Sequence, residues 1–279
     1  MITSLPQKKP CILGESPHFD PKTRTLYWVD IYGKAIFRYP LHHTKITQFN
    51  LPEMVGHVIP TSAETALISM PSGIYTYQFS NQHLSRISEL EPHFPNNRPN
   101  DGKCDPQGRL WVGTIDFNFE AGASSLYRLE PNGVLTQVLS GLTLANGLAW
   151  DTTENLFYFI DSTKQCVQKF DYHPKNGEIT HRRIAFSCDQ VEGLPDGMCI
   201  DPEGMLWIAF FDGGQVCRFH PNTGKVIQTI KLPTPYPTSC TWGETGKNQL
   251  FITSSSHLLT PKEKEKDTQS GLTFIAEIT

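Results

Sequence analysis

Apolar and polar positions along this chain fall into a repeated figure. Its fullest copy is Arg98-Pro-Asn-Asp-Gly-Lys-Cys-Asp-Pro-Gln-Gly-Arg-Leu-Trp-Val-Gly113. Related copies are Glu15-Ser-Pro-His-Phe-Asp-Pro21 before Leu26-Tyr-Trp28, Asn146-Gly-Leu-Ala-Trp-Asp151 before Asn155-Leu-Phe-Tyr158, and Asp196-Gly-Met-Cys-Ile-Asp-Pro-Glu-Gly-Met-Leu-Trp207. Each opens on a polar residue, passes through an apolar-containing run to an Asp, turns, and resumes in a second apolar run. Asp-Pro and Gly supply turn chemistry, so the figure predicts strand, tight turn, strand. Counting back five positions from Asp20, Asp105, Asp151 and Asp201 gives Glu15, Asn100, Asn146 and Asp196, each expected just ahead of its first strand.

The repeat sets the architecture. Units start at 100, 146 and 196, and the stretch from 15 to 100 has room for two, the second beginning near Gly56-His-Val-Ile59. A sixth start falls near Thr238-Ser-Cys-Thr-Trp242. Six units of roughly 40–50 residues, all strand and turn, match the period of β-propeller blades. Later strands are also legible: Ala35–Tyr39, Ser125–Leu129, Gly133–Val138, Gln215–Phe219 and Lys225–Ile230. Their alternation suits half-buried antiparallel strands. Helix signals are nearly absent, with 21 Gly and 21 Pro punctuating almost every run. The fold class expected is all-β, a six-bladed β-propeller forming one domain over residues 1–279. The last strand is expected at Gly271–Ile278, with Cys11–Leu13 paired into the same blade to close the ring. Pro261-Lys-Glu-Lys-Glu-Lys266 is expected as a solvated loop.

Composition narrows the function classes. A net charge of −4 argues against nucleic acid or an anionic membrane as partner, and no apolar run reaches the length of a membrane span. Seven cysteines without C-x-x-C spacing read as free thiols, mostly in apolar runs, and no Asn-x-Ser/Thr sequon is present. The N-terminal residues lack the apolar stretch of a signal peptide, so a cytoplasmic address is expected, with the protein a monomer or weak dimer. Trp28, Trp111, Trp150 and Trp207 follow strand periodicity and are expected in the core.

In a propeller, equivalent positions of successive blades face one another at one depth of the channel. Glu15, Asn100, Asn146 and Asp196 would therefore converge, while Gly56 offers no side chain and blade six offers Thr238 or Ser239. Two carboxylates at such range repel, and a hard divalent cation (Ca²⁺, Mg²⁺ or Mn²⁺) resolves the repulsion with oxygen ligands. Zinc is the less usual choice for such a set. Asp-Gly and Asn-Gly are also favoured turn dipeptides, so spacing alone leaves a purely structural reading open. Arg98 is either a surface residue of a Pro-rich loop or, beside the Asn100-Asp101 pair, part of the site. His57 near the second start reads as a channel-wall or turn residue. There is no G-x-S-x-G elbow, no H-E-x-x-H and no P-loop.

Several segments carry a resemblance: Gly14-Glu-Ser-Pro17, Arg98-Pro-Asn-Asp-Gly-Lys103 with Asp105 and Gly108-Arg109, Asn146-Gly-Leu148, and Pro195-Asp-Gly-Met-Cys-Ile-Asp201. With Gly213-Gly-Gln-Val216, Thr223-Gly-Lys225 and Lys231-Leu-Pro233, they resemble the regucalcin (senescence marker protein)/gluconolactonase family, which includes luciferin-regenerating proteins. The resemblance implies a propeller with one divalent metal in its central channel, Ca²⁺ foremost. It implies Glu15, Asn146 and Asp196 as metal ligands, and Arg98 and Asn100 as substrate-binding groups. Asp101 would join the substrate-binding set from beside the site, orienting these residues or the ring, and Asp196 would double as acid/base group in hydrolysis of a sugar-type lactone. The alternative it leaves is a non-enzymatic calcium-binding propeller that binds a regulatory partner. Two features depart from the family pattern. Asn118 stands where animal members carry a sugar-binding Glu, and the sequence stops at Thr279, shorter than theirs.

Overall fold

Each copy of the repeat folds into a four-stranded antiparallel sheet, and six such sheets form the molecule. The computed structural model describes residues 2–43, 45–244 and 248–278; Met1 and Thr279, to which the expected domain extends, lie outside the described residues. The inner strands are Gly14–Asp20, Val58–Pro60, Asn97–Cys104, Ala145–Asp151, Leu194–Ile200 and Pro237–Glu244. Neighbouring inner strands pack side by side right round the ring, the sixth returning to the first. This is the six-bladed propeller that the period predicted.

Burial follows strand order, for a physical reason. Second strands such as Thr25–Asp30 and Leu206–Phe211 are sandwiched between adjacent blades, so their residues are buried on both faces. Outermost strands such as His83–Ser88 and Glu178–Ser187 have one free edge and are largely exposed. The core is a series of inter-blade seams: Tyr27, Val29 and Ile36 of blade one meet Val58, Ile68 and Tyr77 of blade two. Trp28, Trp111, Trp150 and Trp207 are all buried, as expected, and all seven cysteines are free, six of them buried.

The repeated Asp organises the turn and tethers the core. Asp105 Oδ1 accepts from the Gln107 and Arg109 N–H groups, while Oδ2 accepts from Arg109 Nε and Trp111 Nε1. Asp201 repeats the pattern with Glu203, Met205, Trp207 Nε1 and Arg218. One carboxylate thus satisfies the orphan donors of the hairpin and the buried indole together, which explains the Asp-Pro-x-Gly…Trp spacing.

Three expectations require correction. The ring is closed by Ile2–Ser4, which pairs with Phe274–Glu277; Cys11–Leu13 forms no strand there and reaches blade six through the Leu13–Ser255 bridge and backbone bonds from Cys11 N to the Gly271 carbonyl and from Ser256 N to the Ile12 carbonyl. Pro261–Lys264 is one exposed helical turn because Thr260 and Glu263 form a reciprocal capping box with Pro at its start. The polar residues expected ahead of the inner strands lie inside them. No helix among the described residues is long and apolar enough to cross a membrane.

Candidate functional site at the channel mouth

The inner strands are bulged, and the bulges carry the candidate residues. In five of the six blades pairing with the second strand slips by one residue: between Glu15 and His18, Pro99 and Gly102, Asn146 and Leu148, Pro195 and Met198, and Pro237 and Ser239. A bulge bends the strand and re-aims a side chain that regular alternation would send elsewhere. Glycine is required where the segment leading into blade two passes close to the bulged strand of blade three. A Cβ at Gly56 would lie 2.6 Å from the Asn100 carbonyl oxygen, so blade two gives its side chain up to let blade three approach.

Glu15, Arg98, Asn100, Asn146 and Asp196 line one cavity of about 240 Å³, and each is at least nine-tenths buried. Arg98, Asn100 and Asn146 form a directed chain. Arg98 Nη1 donates to Asn100 Oδ1 at 2.8 Å, Asn100 Nδ2 to Asn146 Oδ1 at 2.6 Å, and Asn146 Nδ2 to Ser162 Oγ at 2.8 Å. Asn100 Nδ2 also reaches the Ala145 carbonyl, and Arg98 Nη1 the Pro99 carbonyl. The Arg98 guanidinium lies over the Tyr32 ring, 5.7 Å from its centroid. The fork is thereby held in one orientation, the arrangement in which arginine loses least on binding a planar oxygen pair.

The acids are electrostatically loaded. Burial first, then the charge of Asp101, pushes Glu15 up to about 8, although the Ser16 N–H and Arg98 pull it down. Asp196 is raised well above the carboxylate range by burial, by Glu15 and by Asp101, with Arg98 and the Gly197 N–H opposing. Asp101 itself is raised by burial and held back by Lys103. Its carboxylate does not line the cavity, and Oδ2 has no hydrogen-bond partner among the described residues. Burial lowers the Arg98 guanidinium, with Tyr32, Glu15 and Asp196 opposing.

The described residues contain no group of three or more His, Cys, Asp or Glu side chains gathered for a metal ion. Two of the three expected ligands, Glu15 and Asp196, are carboxylates, and the third, Asn146, is a carboxamide. The set is nonetheless all oxygen and short of positive charge, which fits a hard divalent cation better than zinc.

Other expectations resolve differently. Thr238 Oγ1 turns to the Gly14 carbonyl at 2.6 Å and clips blade six to blade one. His57 is fully buried, bonded to Ser69 through Nε2 and pushed down to about 4 by burial, a neutral wall residue. Asn118 is exposed and outside the cavity lining, where Phe119 stands instead. Sequence reasoning missed Tyr32, Ser162, Phe119 and His257, all at the cavity. Their one shared signal is position, each lying within three residues after the second strand of its blade. A larger groove of about 540 Å³ lies under residues 6–12, and its one acid, Asp30, is spent on the Ile12, Leu13 and Gly33 N–H groups.

Residues 13–256 match the family model described as SMP-30/Gluconolactonase/LRE-like region. The chain belongs to this family. It is 36% identical over 264 residues to regucalcin of Danio rerio, covering 94% of this chain and 89% of that protein. It is 34% identical over 267 residues to YvrE of Bacillus subtilis, provisionally named a sugar lactone lactonase, covering 96% and 91%. Among solved structures, a regucalcin of Agrobacterium tumefaciens described as a calcium-binding protein superposes with a TM-score of 0.91 at 27% identity, covering 98% and 93%.

Proposed function

We propose that this family member is a hydrolase that opens small cyclic esters at the channel mouth, with one divalent cation, Ca²⁺ foremost, held by Glu15, Asn146 and Asp196. The observation carrying the reading is the opposition, inside one concave cavity, of a fixed Arg98–Asn100 pair and a buried acid, Asp196, whose proton affinity burial raises. A scaffold has no use for that combination.

The roles follow from the donors. Arg98, steadied by Asn100 and Tyr32, presents its remaining N–H groups to lactone oxygens and stabilises negative charge developing there. Asp196 as carboxylate takes the proton of the water that attacks the carbonyl carbon. It returns that proton to the ring oxygen as the carbon–oxygen bond breaks, leaving a hydroxy acid. Burial first, and then the neighbouring Glu15 and Asp101 carboxyl groups, raise the basicity of Asp196 for this exchange. When bound, the cation supplies Lewis-acid polarisation and offsets the two carboxylates.

A second reading is a calcium-binding propeller without catalysis. It is favoured by the regucalcin and calcium-binding names among the relatives. The two readings separate in one experiment. Chelated protein, with Ca²⁺, Mg²⁺, Mn²⁺ or Zn²⁺ restored, is assayed on a lactone panel beside Asp196→Asn. Metal-dependent turnover lost in the variant supports the hydrolase; metal binding with no turnover supports the binding protein.

A further inference from the structure

The polar floor of the cavity is ringed by hydrocarbon. Ile115, Phe119, Leu144, Leu194, Phe211 and Leu258 belong to its lining. Three of them are exposed at the mouth, where water penalises them: Phe119 at 58%, Leu258 at 52% and Leu194 at 39% of their full surface. Phe119 is also held at φ +58, a left-handed conformation unusual for a bulky residue. The turn holding it there is built for the purpose. Phe119 N donates to the Asp116 carbonyl, and Asp116 Oδ1 accepts from the Asn118 and Glu120 N–H groups. Strain and exposure coincide on one aromatic side chain, a pairing expected where function outweighs local stability.

Few polar groups stand at the rim, and these are partly engaged: Ser162 Oγ accepts from Asn146, His257 Nδ1 pairs with Ser255 Oγ, and the Tyr32 ring lies under the Arg98 guanidinium. A polyhydroxylated ring seated on the floor would turn its outer hydroxyls toward hydrocarbon, and each buried hydroxyl left unbonded weakens binding.

We infer that the cavity selects lactones bearing an alkyl or aryl substituent over polyhydroxylated lactones, with Phe119 and Leu258 as the specificity-determining residues. The inference rests on the hydrolase reading above and narrows its substrate class. The lactone ring meets Arg98 and Asn100, and the substituent lies along Phe119, Leu194 and Leu258, covering the surface they expose.

The test uses the full-length, metal-loaded protein and a series of γ-lactones with 5-alkyl chains of increasing length, beside gluconolactone. Wild type, Phe119→Asn and Leu258→Ser are compared, with unsubstituted γ-butyrolactone as each protein's reference. Asparagine tolerates the left-handed backbone, so the first change removes the ring without disturbing the turn. Expected is a kcat/KM that rises about fourfold per added methylene over the first few, the burial value of one CH₂. Both variants should flatten that rise, chiefly through KM, and gluconolactone should rank below the alkyl series. A flat series, a preference for gluconolactone, or variants with the wild-type slope would overturn the inference. Calorimetric titration of the same lactones into the same proteins reads the rim without turnover. Chain-length-dependent binding weakened in Phe119→Asn, with no hydrolysis, would sink the hydrolase reading while upholding the apolar preference; binding indifferent to chain length would sink the preference.

Discussion

Replacing Glu15 by glutamine removes one of two acids that the fold holds together against their charge. The Glu15 carboxyl rises from 4.5 to about 8, first from burial and then from Asp101. An unfolded chain returns it to its ordinary value, so between these limits the native state carries the extra proton. Stability is therefore greatest below about pH 4.5 as far as this group is concerned, and is lost as pH rises through 8. At about 1.4 kcal/mol per unit, the whole window is worth at most on the order of 5 kcal/mol. For a chain of this size that is on the order of 10 °C in Tm. The assay is thermal unfolding of chelated protein from pH 5 to pH 9, wild type against Glu15→Gln. Wild type should melt progressively lower with rising pH, and the variant should respond much less, because Asp196 also loses its repulsive neighbour. Restoring a divalent cation at pH 8 should recover the lost stability in wild type alone. Equal slopes in the two proteins would refute the electrostatic account of this site.

Further outcomes follow from the same geometry. Asp196→Asn should lower lactone turnover by about 10²–10⁴-fold, with an unchanged circular dichroism spectrum, as removal of a general base does. Gly197→Ala should cost about 1–3 kcal/mol in denaturant unfolding, because its methyl group would collide with Ser239 on the neighbouring inner strand. Asp105→Ala should cost about 3–5 kcal/mol, since it strands the buried Arg109 and the Trp111 indole together. Thiol titration of the native protein at pH 8 should be slow at every cysteine and complete in guanidinium. The thiols of Cys104 and Cys188 are both pushed up to about 12 by burial.

Much of the ring was legible because its signal repeats. Asp20, Asp105, Asp151 and Asp201 do one local job, capping the hairpin after each inner strand, and a local job leaves the same spacing each time. That register expected Glu15, Asn100, Asn146 and Asp196 to converge, and all four line one cavity. The bulges were hidden because pairing register depends on the partner strand; Asn146-Gly147 and Asp196-Gly197 read equally well as turns. Ile2–Ser4 is too short to show a period, and its partner lies at the far end of the sequence. Phe119 carries no signal that sets it apart from Asn118, because the curvature of the Asp116 turn decides which of the two faces the cavity.

The pairing of Ile2 with Ala276 has a consequence for how the molecule is made. During synthesis five blades can assemble from neighbouring segments as they leave the ribosome, but the sixth must wait for residues near 277 before its first-made strand finds a partner. Until then Ile2–Ser4 and the open flank of blade one, with its unsatisfied edge, are available to other chains. A nascent chain stalled late in blade six would be a nearly complete, unclosed ring, and this is the species a chaperone would meet.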